Sequence, residues 1–302
     1  SIRRQRQMCI RDSAGTVYAP ARPWITQNAD RLPFFDWLIF GFHLFVTPTF
    51  FFVGGFFTVL LLSRRSVPNF IANRLLRTGV PLVSIALTFN MVERYLRFLD
   101  NGGSGSFLAW IGSPEFVAMW VGGHWALHLW FLVSLIPMFL LSAALQAALP
   151  ANSRVRSMSV AAIDRIAAVL GKAWVFPLAV LALAFVNFAN YSAAALVPGS
   201  YELIFPGFQS LYKLTSEFPF FVVGVAAALS PRLLEALVKW RWWMPFAAAA
   251  ALYLQPYPLS TGGVEGAALL FANQLAIWVL VLFILQFFRR FFNAGGKRTA
   301  WL

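Results

Sequence analysis

Against a background that is 60% hydrophobic and only 12% charged, few side chains in this chain are able to do chemistry. The first is His43, the one titratable group in HLFVTPTFFFVGGFF, His43 to Phe57. Pro48 lies five residues on and leaves the Leu44 carbonyl without its helical donor. The sequence therefore predicts a kink that opens room beside a buried His43. Such a histidine is either a general base, or a group orienting a substrate hydroxyl, or a structural residue bonded to a neighbouring helix. His124 and His128 are four apart and share one helical face, a spacing that binds metal in other contexts. No cysteine cluster, HExxH or acidic third ligand accompanies them, so no metal is expected. His128 either faces a substrate or anchors an interface beside Trp125 and Trp130. Glu93 and Glu217 are carboxylates in apolar surroundings, where each either pairs with a cation or positions a polar substrate.

The remaining candidates are arginines. Arg64 and Arg65 precede Arg74 and Arg77, which are three apart and so predicted to share a helix face. Four guanidinium groups at a helix N-terminus make a good phosphate site. The same pattern equally serves to anchor a helix end against anionic lipid. No Walker loop, GxSxG or dinucleotide fingerprint is present.

These residues need elements to hold them, and the composition says what those are. Apolar segments of about 20 residues recur along all 302 residues, and the mean hydropathy is +0.70. The fold expected is an all-α polytopic membrane helix bundle. Seven segments qualify: Phe34 to Leu62, Arg74 to Phe98, Trp125 to Leu149, Ala173 to Ala193, Leu211 to Leu229, Trp242 to Leu259 and Val264 to Phe292. Short alternating segments of an outer-membrane barrel are absent from the pattern. Cys9 stands alone, which excludes a disulfide framework.

The net charge of +13 follows the same organisation. Arg64, Arg65, Arg74 and Arg77 lie after the first segment, and Arg154, Arg156, Arg165 and Lys172 after the third. Arg232, Lys239 and Arg241 follow the fifth, and Arg289, Arg290, Lys297 and Arg298 the seventh. The alternate links are nearly bare. This is the positive-inside pattern of a plasma (bacterial inner) membrane protein with cytoplasmic basic links, and no nucleic-acid partner is implied. MSVAAIDRIAAVLGK, Met158 to Lys172, is expected to lie along the inner interface. FLAWIGSPEFVAMWVGG, Phe107 to Gly123, is too broken to cross and is expected to cap the outer side. The glycines Gly54, Gly55 and Gly224 are read as close helix packing.

In this orientation the first segment enters from outside, which calls for a crossing before it. Ser1 to Ser13 (SIRRQRQMCIRDS) has no signal-peptide core and resembles translated adapter read-through. The chain is therefore expected to be a fragment: 1–13 non-native, and 14–302 one membrane domain incomplete at both ends.

Several stretches together resemble the membrane acyltransferase 3 superfamily, and within it the glucan-modifying branch of the OpgC/MdoC type. They are YAPARPWIT (Tyr18 to Thr26), HLFVTPTFFFVGGFF, NRLLRTGVPL (Asn73 to Leu82) and HLWFLVSL (His128 to Leu135). Val46 and Thr47 stand where that branch usually carries Arg-Met. The resemblance implies about ten helices around a cavity, and transfer of an acetyl- or succinyl-type group from acyl-CoA to an extracytoplasmic carbohydrate hydroxyl. It implies that Arg74 and Arg77, with Arg64 and Arg65, hold the acyl-CoA, and that His128, Trp130 and Pro48 line the acceptor side, with His43 supporting and Glu93 contributing to catalysis. The family's essential histidine lies on a helix ahead of the matched region, so the fragment is expected to be inactive as it stands. A different class also fits the composition, a multi-pass transporter or flippase for a polar solute. Transporters tend to show inverted repeats and midplane charge, and neither is evident here.

Overall fold

The computed structural model describes residues 33–122, 125–149, 153–172, 174–199, 210–254 and 263–292. The stretch Ser1 to Ser13, His124 and the side chain of His128 lie outside the described residues. Among those described there is helix and no strand, as the continuous apolar runs require. Among the described residues, six helices are long and apolar enough to cross a membrane.

The first, α1, spans Pro33–Leu62. The second, α2, runs Val67–Asp100, about 50 Å at 1.5 Å per residue and longer than the ~30 Å hydrocarbon layer. It is not uniform. A π turn covers Leu75–Gly79 and another Ala86–Asn90. The first π turn precedes Pro81, which has no N–H to offer the Arg77 carbonyl, and a widened turn accommodates that loss. Two short helices follow, α3 (Phe107–Ile111) and α4 (Pro114–Val121), capped by Ser106 and Ser113, whose side chains accept from Ala109 and Phe116 amides. At five and eight residues neither is long enough to cross a membrane. Trp110, Met119 and Met91 pack there as a satellite cluster.

The third long helix, α5, is Trp130–Ala148, entered through a 3₁₀ turn at Leu127–Leu129. Next come α6 (Arg154–Leu170), α7 (Val175–Leu196), α8 (Leu211–Leu229) and α9 (Pro231–Val238). The last two are α10 (Met244–Leu254) and α11 (Gly263–Phe292). The sixth expected crossing is thus much shorter in the described residues. At 11 residues, α10 covers only about 16 Å.

Side-chain contacts fix how these helices run. Phe51 of α1 meets Trp130, and Gly54, further along α1, meets Leu135 further along α5, so the two helices are parallel. Phe70 meets Phe139, whereas Asn90 Nδ2 donates to the Trp125 and Ala126 carbonyls, so α2 runs against α5. Asn187 Nδ2 donates to the Ser216 carbonyl and Tyr191 meets Tyr212, which makes α7 and α8 antiparallel. Near α10, the Arg241 amide donates to Gln286 Oε1, while Trp37 Nε1 donates to the Leu252 carbonyl. Hence α10 runs from the Arg241 end toward the start of α1. The alternation gathers every described basic link at one end of the bundle.

At that basic end α6 packs on α9, and Ser230 Oγ donates to Asp164. Val155, Met158, Ile166 and Val169 of α6 are exposed at helical spacing, the apolar face an interfacial helix presents. Arg241 is buried there. It lies over the Phe176 ring at 3.3 Å and donates to the carbonyls of Lys239 (2.9 Å) and Ala236 (3.1 Å). Burial pushes its pKa down to about 10, so it stays charged at neutral pH.

The tightest crossing joins α1 and α8. A Cβ on Gly55 would collide with the Phe221 carbonyl, and one on Gly224 with the Phe52 carbonyl. Each glycine admits the other helix's backbone, as the small-residue pattern predicts. Gly54 is less constrained, since its nearest obstacle is the flexible Leu135 Cδ2 at 3.1 Å.

Candidate functional site

The basic end holds the arginines. Arg64 and Arg65 are exposed in the turn after α1, and Arg77 is exposed on α2. Arg74 differs. Its guanidinium lies 4.8 Å from the Phe139 ring centroid and 5.7 Å from that of Phe70. Its Nε is buried and has no hydrogen-bond partner. The head closes a small apolar pocket formed with Phe70, Ile71, Leu75, Ile136, Phe139 and Leu140. The sequence spacing predicts Arg74 and Arg77 on one face. In the structure a π turn starts at Leu75 between them, and Arg74 is half-buried while Arg77 is exposed. At this site a donor N–H is held on an aromatic platform at the basic end of the bundle, with three exposed cations nearby. That arrangement suits a phosphate group.

The opposite end is sparing with positive charge. Trp130 begins α5, touches Phe51 at 6.4 Å between ring centroids, and carries Lys213 Nζ 5.5 Å above its ring. Pro48 is buried in α1 on the bundle side. His43 is not. Sequence reasoning expected a buried histidine beside the proline, but His43 is exposed while its neighbour Leu44 is buried. Five residues correspond to about 140° around a helix, so the proline and the histidine point to different sides. Glu93 is held by Arg97, which donates from Nε at 3.1 Å and from a terminal nitrogen at 2.8 Å to one carboxylate oxygen. Of the two alternatives open for this carboxylate, the structure shows pairing with a cation. His128 lies in the 3₁₀ turn just before Trp130. Trp130 and Pro48 thus belong to the bundle interior, while Glu93 and His43 do not converge with them.

A polar seam runs between α7, α8 and α11, made of residues that sequence reasoning missed. Asn187 Nδ2 donates to Gln274 Oε1 at 2.9 Å, and Asn190 donates to the Thr215 carbonyl. The signal was present: amides inside apolar spans are costly unless paired. Their partners are 87 residues away in the case of Gln274, and nothing local announces that.

A family model described as an acyltransferase domain, that of the acyltransferase 3 family, matches residues 17–302. The chain belongs to the acyltransferase 3 family. No curated protein and no solved structure matches it. As an acyltransferase 3 member with six long apolar helices, it is a multi-pass membrane acyltransferase. Membership calls for an acyl donor and an acceptor, and the bundle offers two chemically distinct ends at which to look for them.

Proposed function

We propose that this acyltransferase takes its acyl group from acyl-CoA at the basic end and delivers it to a carbohydrate hydroxyl at the opposite end. The observation that carries the reading is Arg74, a membrane-edge guanidinium with an unpartnered buried Nε, stacked on Phe139 and Phe70 beside a small apolar pocket. Arg74 grips a donor phosphate, Arg77 adds a second contact, and Arg64 and Arg65 raise the local anion concentration. The pantetheine arm carries the thioester inward from there. The acceptor hydroxyl oxygen attacks the thioester carbonyl. A C–O bond forms and the C–S bond breaks; the hydroxyl proton goes to a histidine base, which passes it to the departing sulfur, so CoA leaves as the thiol. His128, next to Trp130, is the candidate in this chain for contact with the hydroxyl; His43 is assigned a supporting role only. Trp130 and Pro48 line the acceptor side. Glu93 serves through its pair with Arg97 rather than by touching substrate.

In this reading the basic links face the cytoplasm at a bacterial inner membrane, where acyl-CoA is found, and the charge asymmetry supports that orientation. An acetyl or succinyl group and a glucan acceptor fit the sequence resemblance. The test is acyl transfer from radiolabelled acetyl-CoA or succinyl-CoA to a gluco-oligosaccharide by the protein in membranes. Arg74→Ala with Arg77→Ala is expected to weaken acyl-CoA binding at least tenfold. Unchanged affinity in the double variant would sink the donor assignment. Solute flux into liposomes without acylation would favour a transporter instead.

A further inference from the structure

A second buried, unpartnered polar group lies at the other end of the bundle, on α8. Glu217 follows Lys213 by four residues and precedes Phe221 by four, so the three share one helix face. Lys213 lies over Trp130 of α5. Phe221 packs 6.2 Å from Phe139 of α5, and its carbonyl meets Gly55 of α1. Glu217 is bracketed between these contacts and so faces the seam of α1, α5 and α8. It lies about 9 Å inside the start of its helix. Its Oε2 is buried with no partner, and among the described residues no cation pairs with it. The α1 wall brings a second orphan. Thr49 lies three residues before Phe52, hence on the flank that meets Gly224, and its Oγ1 is also buried without a partner. Ser134 on α5 is fully buried and spends its hydroxyl proton on the Trp130 carbonyl at 3.2 Å.

An unpaired carboxyl at this depth is costly, and the cost argues for a ligand that supplies the missing partner. The surroundings specify the ligand. Trp130, nearer the start of α5, offers an aromatic surface, Lys213 offers donors, and Glu217 and Thr49 offer acceptors and a hydroxyl. A sugar needs that combination, because it has one apolar C–H face and a rim of hydroxyls. A simple cation would use Glu217 and Thr49 but not Trp130. The Gly55–Gly224 crossing closes the seam on its basic-end side.

We propose that Glu217, helped by Thr49, is the positioning residue for the acceptor hydroxyl, with Trp130 and Lys213 as the platform over which the sugar lies. This identifies the acceptor subsite within the acyltransferase reading above and rests on it for the reaction, but binding can be tested without chemistry. The protein is placed in nanodiscs and its binding of a short gluco-oligosaccharide is measured by saturation-transfer NMR and calorimetry. Wild type is compared with Glu217→Gln, Glu217→Met and Thr49→Val. Wild type is expected to bind, Glu217→Met to bind about ten- to a hundredfold more weakly, Glu217→Gln to fall between, and Thr49→Val to lose a few-fold. Acetyl-CoA affinity is expected to be unchanged in all three, which also reports that they are folded. Should Glu217→Met not fold, the two near-isosteric variants carry the comparison. Binding within twofold of wild type in the variants, no oligosaccharide binding by wild type, or saturable sodium binding in its place would each overturn the proposal. If wild type binds the sugar as described but never acylates it, the reaction assignment fails while the subsite stands.

Discussion

The two ends of this bundle handle charge in opposite ways. At the basic end cations are plentiful, and all but a few are exposed to solvent, where each is worth little and another can take its place. Arg74 and Arg241 are exceptions drawn in against aromatic rings, and half-buried Arg156 is tied to Gln146. At the other end Lys213 and Glu217 stand on one face of α8, one over Trp130 and one unpaired. Redundancy at the first end and singularity at the second teach where substitution will hurt. The count of charges in a region says little, whereas the burial of an individual charge says much.

The sharpest way to break the comparison is at the crossing that separates the two regions. Gly55→Leu or Gly224→Leu forces the backbones of α1 and α8 apart, because the obstacle in each case is a carbonyl rather than a movable side chain. The expected cost is at least about 3 kcal/mol. Gly54→Ala meets only the Leu135 side chain and is expected to cost less than about 1 kcal/mol. The monodisperse fraction on size-exclusion chromatography in detergent separates the outcomes. Equal yields for the Gly54 and Gly55 variants would refute the crossing as the organising contact.

Next comes the division among the buried arginines. Arg241→Met leaves the carbonyls of Lys239 and Ala236 without their donor and removes the cation over Phe176. A loss of about 2–3 kcal/mol is expected, read as a lower melting midpoint with acyl-CoA affinity unchanged. Arg74→Met should do the reverse, leaving the midpoint nearly in place and weakening acyl-CoA about ten- to a hundredfold. Arg64→Ala or Arg65→Ala should weaken it less than about threefold, an effect that fades in high salt. If Arg74 and Arg241 exchange these behaviours, the assignment of one to ligand and the other to structure is wrong.

What could be read before the structure was known follows the same line between local and distant physics. The crossing segments and the glycine contact are written into runs of neighbouring residues, and α1, α5, α7, α8 and α11 lie where hydrophobicity places them. The side on which a residue faces was harder. A single proline at position 81 replaces α with π geometry in the preceding turn, where Arg74 is half-buried and Arg77 exposed. His43 was assigned to the bundle from its company alone, although the arc from Pro48 turns it outward. Asn187 and Gln274 meet only because α7 and α11 run antiparallel, which no spacing within either helix reveals.

The smallest expected effect sharpens the comparison from its quiet side. Glu93 and Arg97 are an i,i+4 pair on one helix, with side chains 23% and 32% exposed. Pairs of this kind contribute about 0.3–0.5 kcal/mol. Glu93→Gln should therefore shift the melting midpoint barely, and it should leave both acyl-CoA and oligosaccharide affinity within twofold. Glu217→Gln changes the same two atoms into the same amide, yet it should be felt in sugar binding, because Glu217 Oε2 has no partner and Glu93 already has one. A tenfold loss of transfer in Glu93→Gln would return this carboxylate to the reacting centre. It would also mean that the ion pair opens when substrate binds, so Arg97→Gln, which frees Glu93 without altering it, should then raise activity rather than lower it.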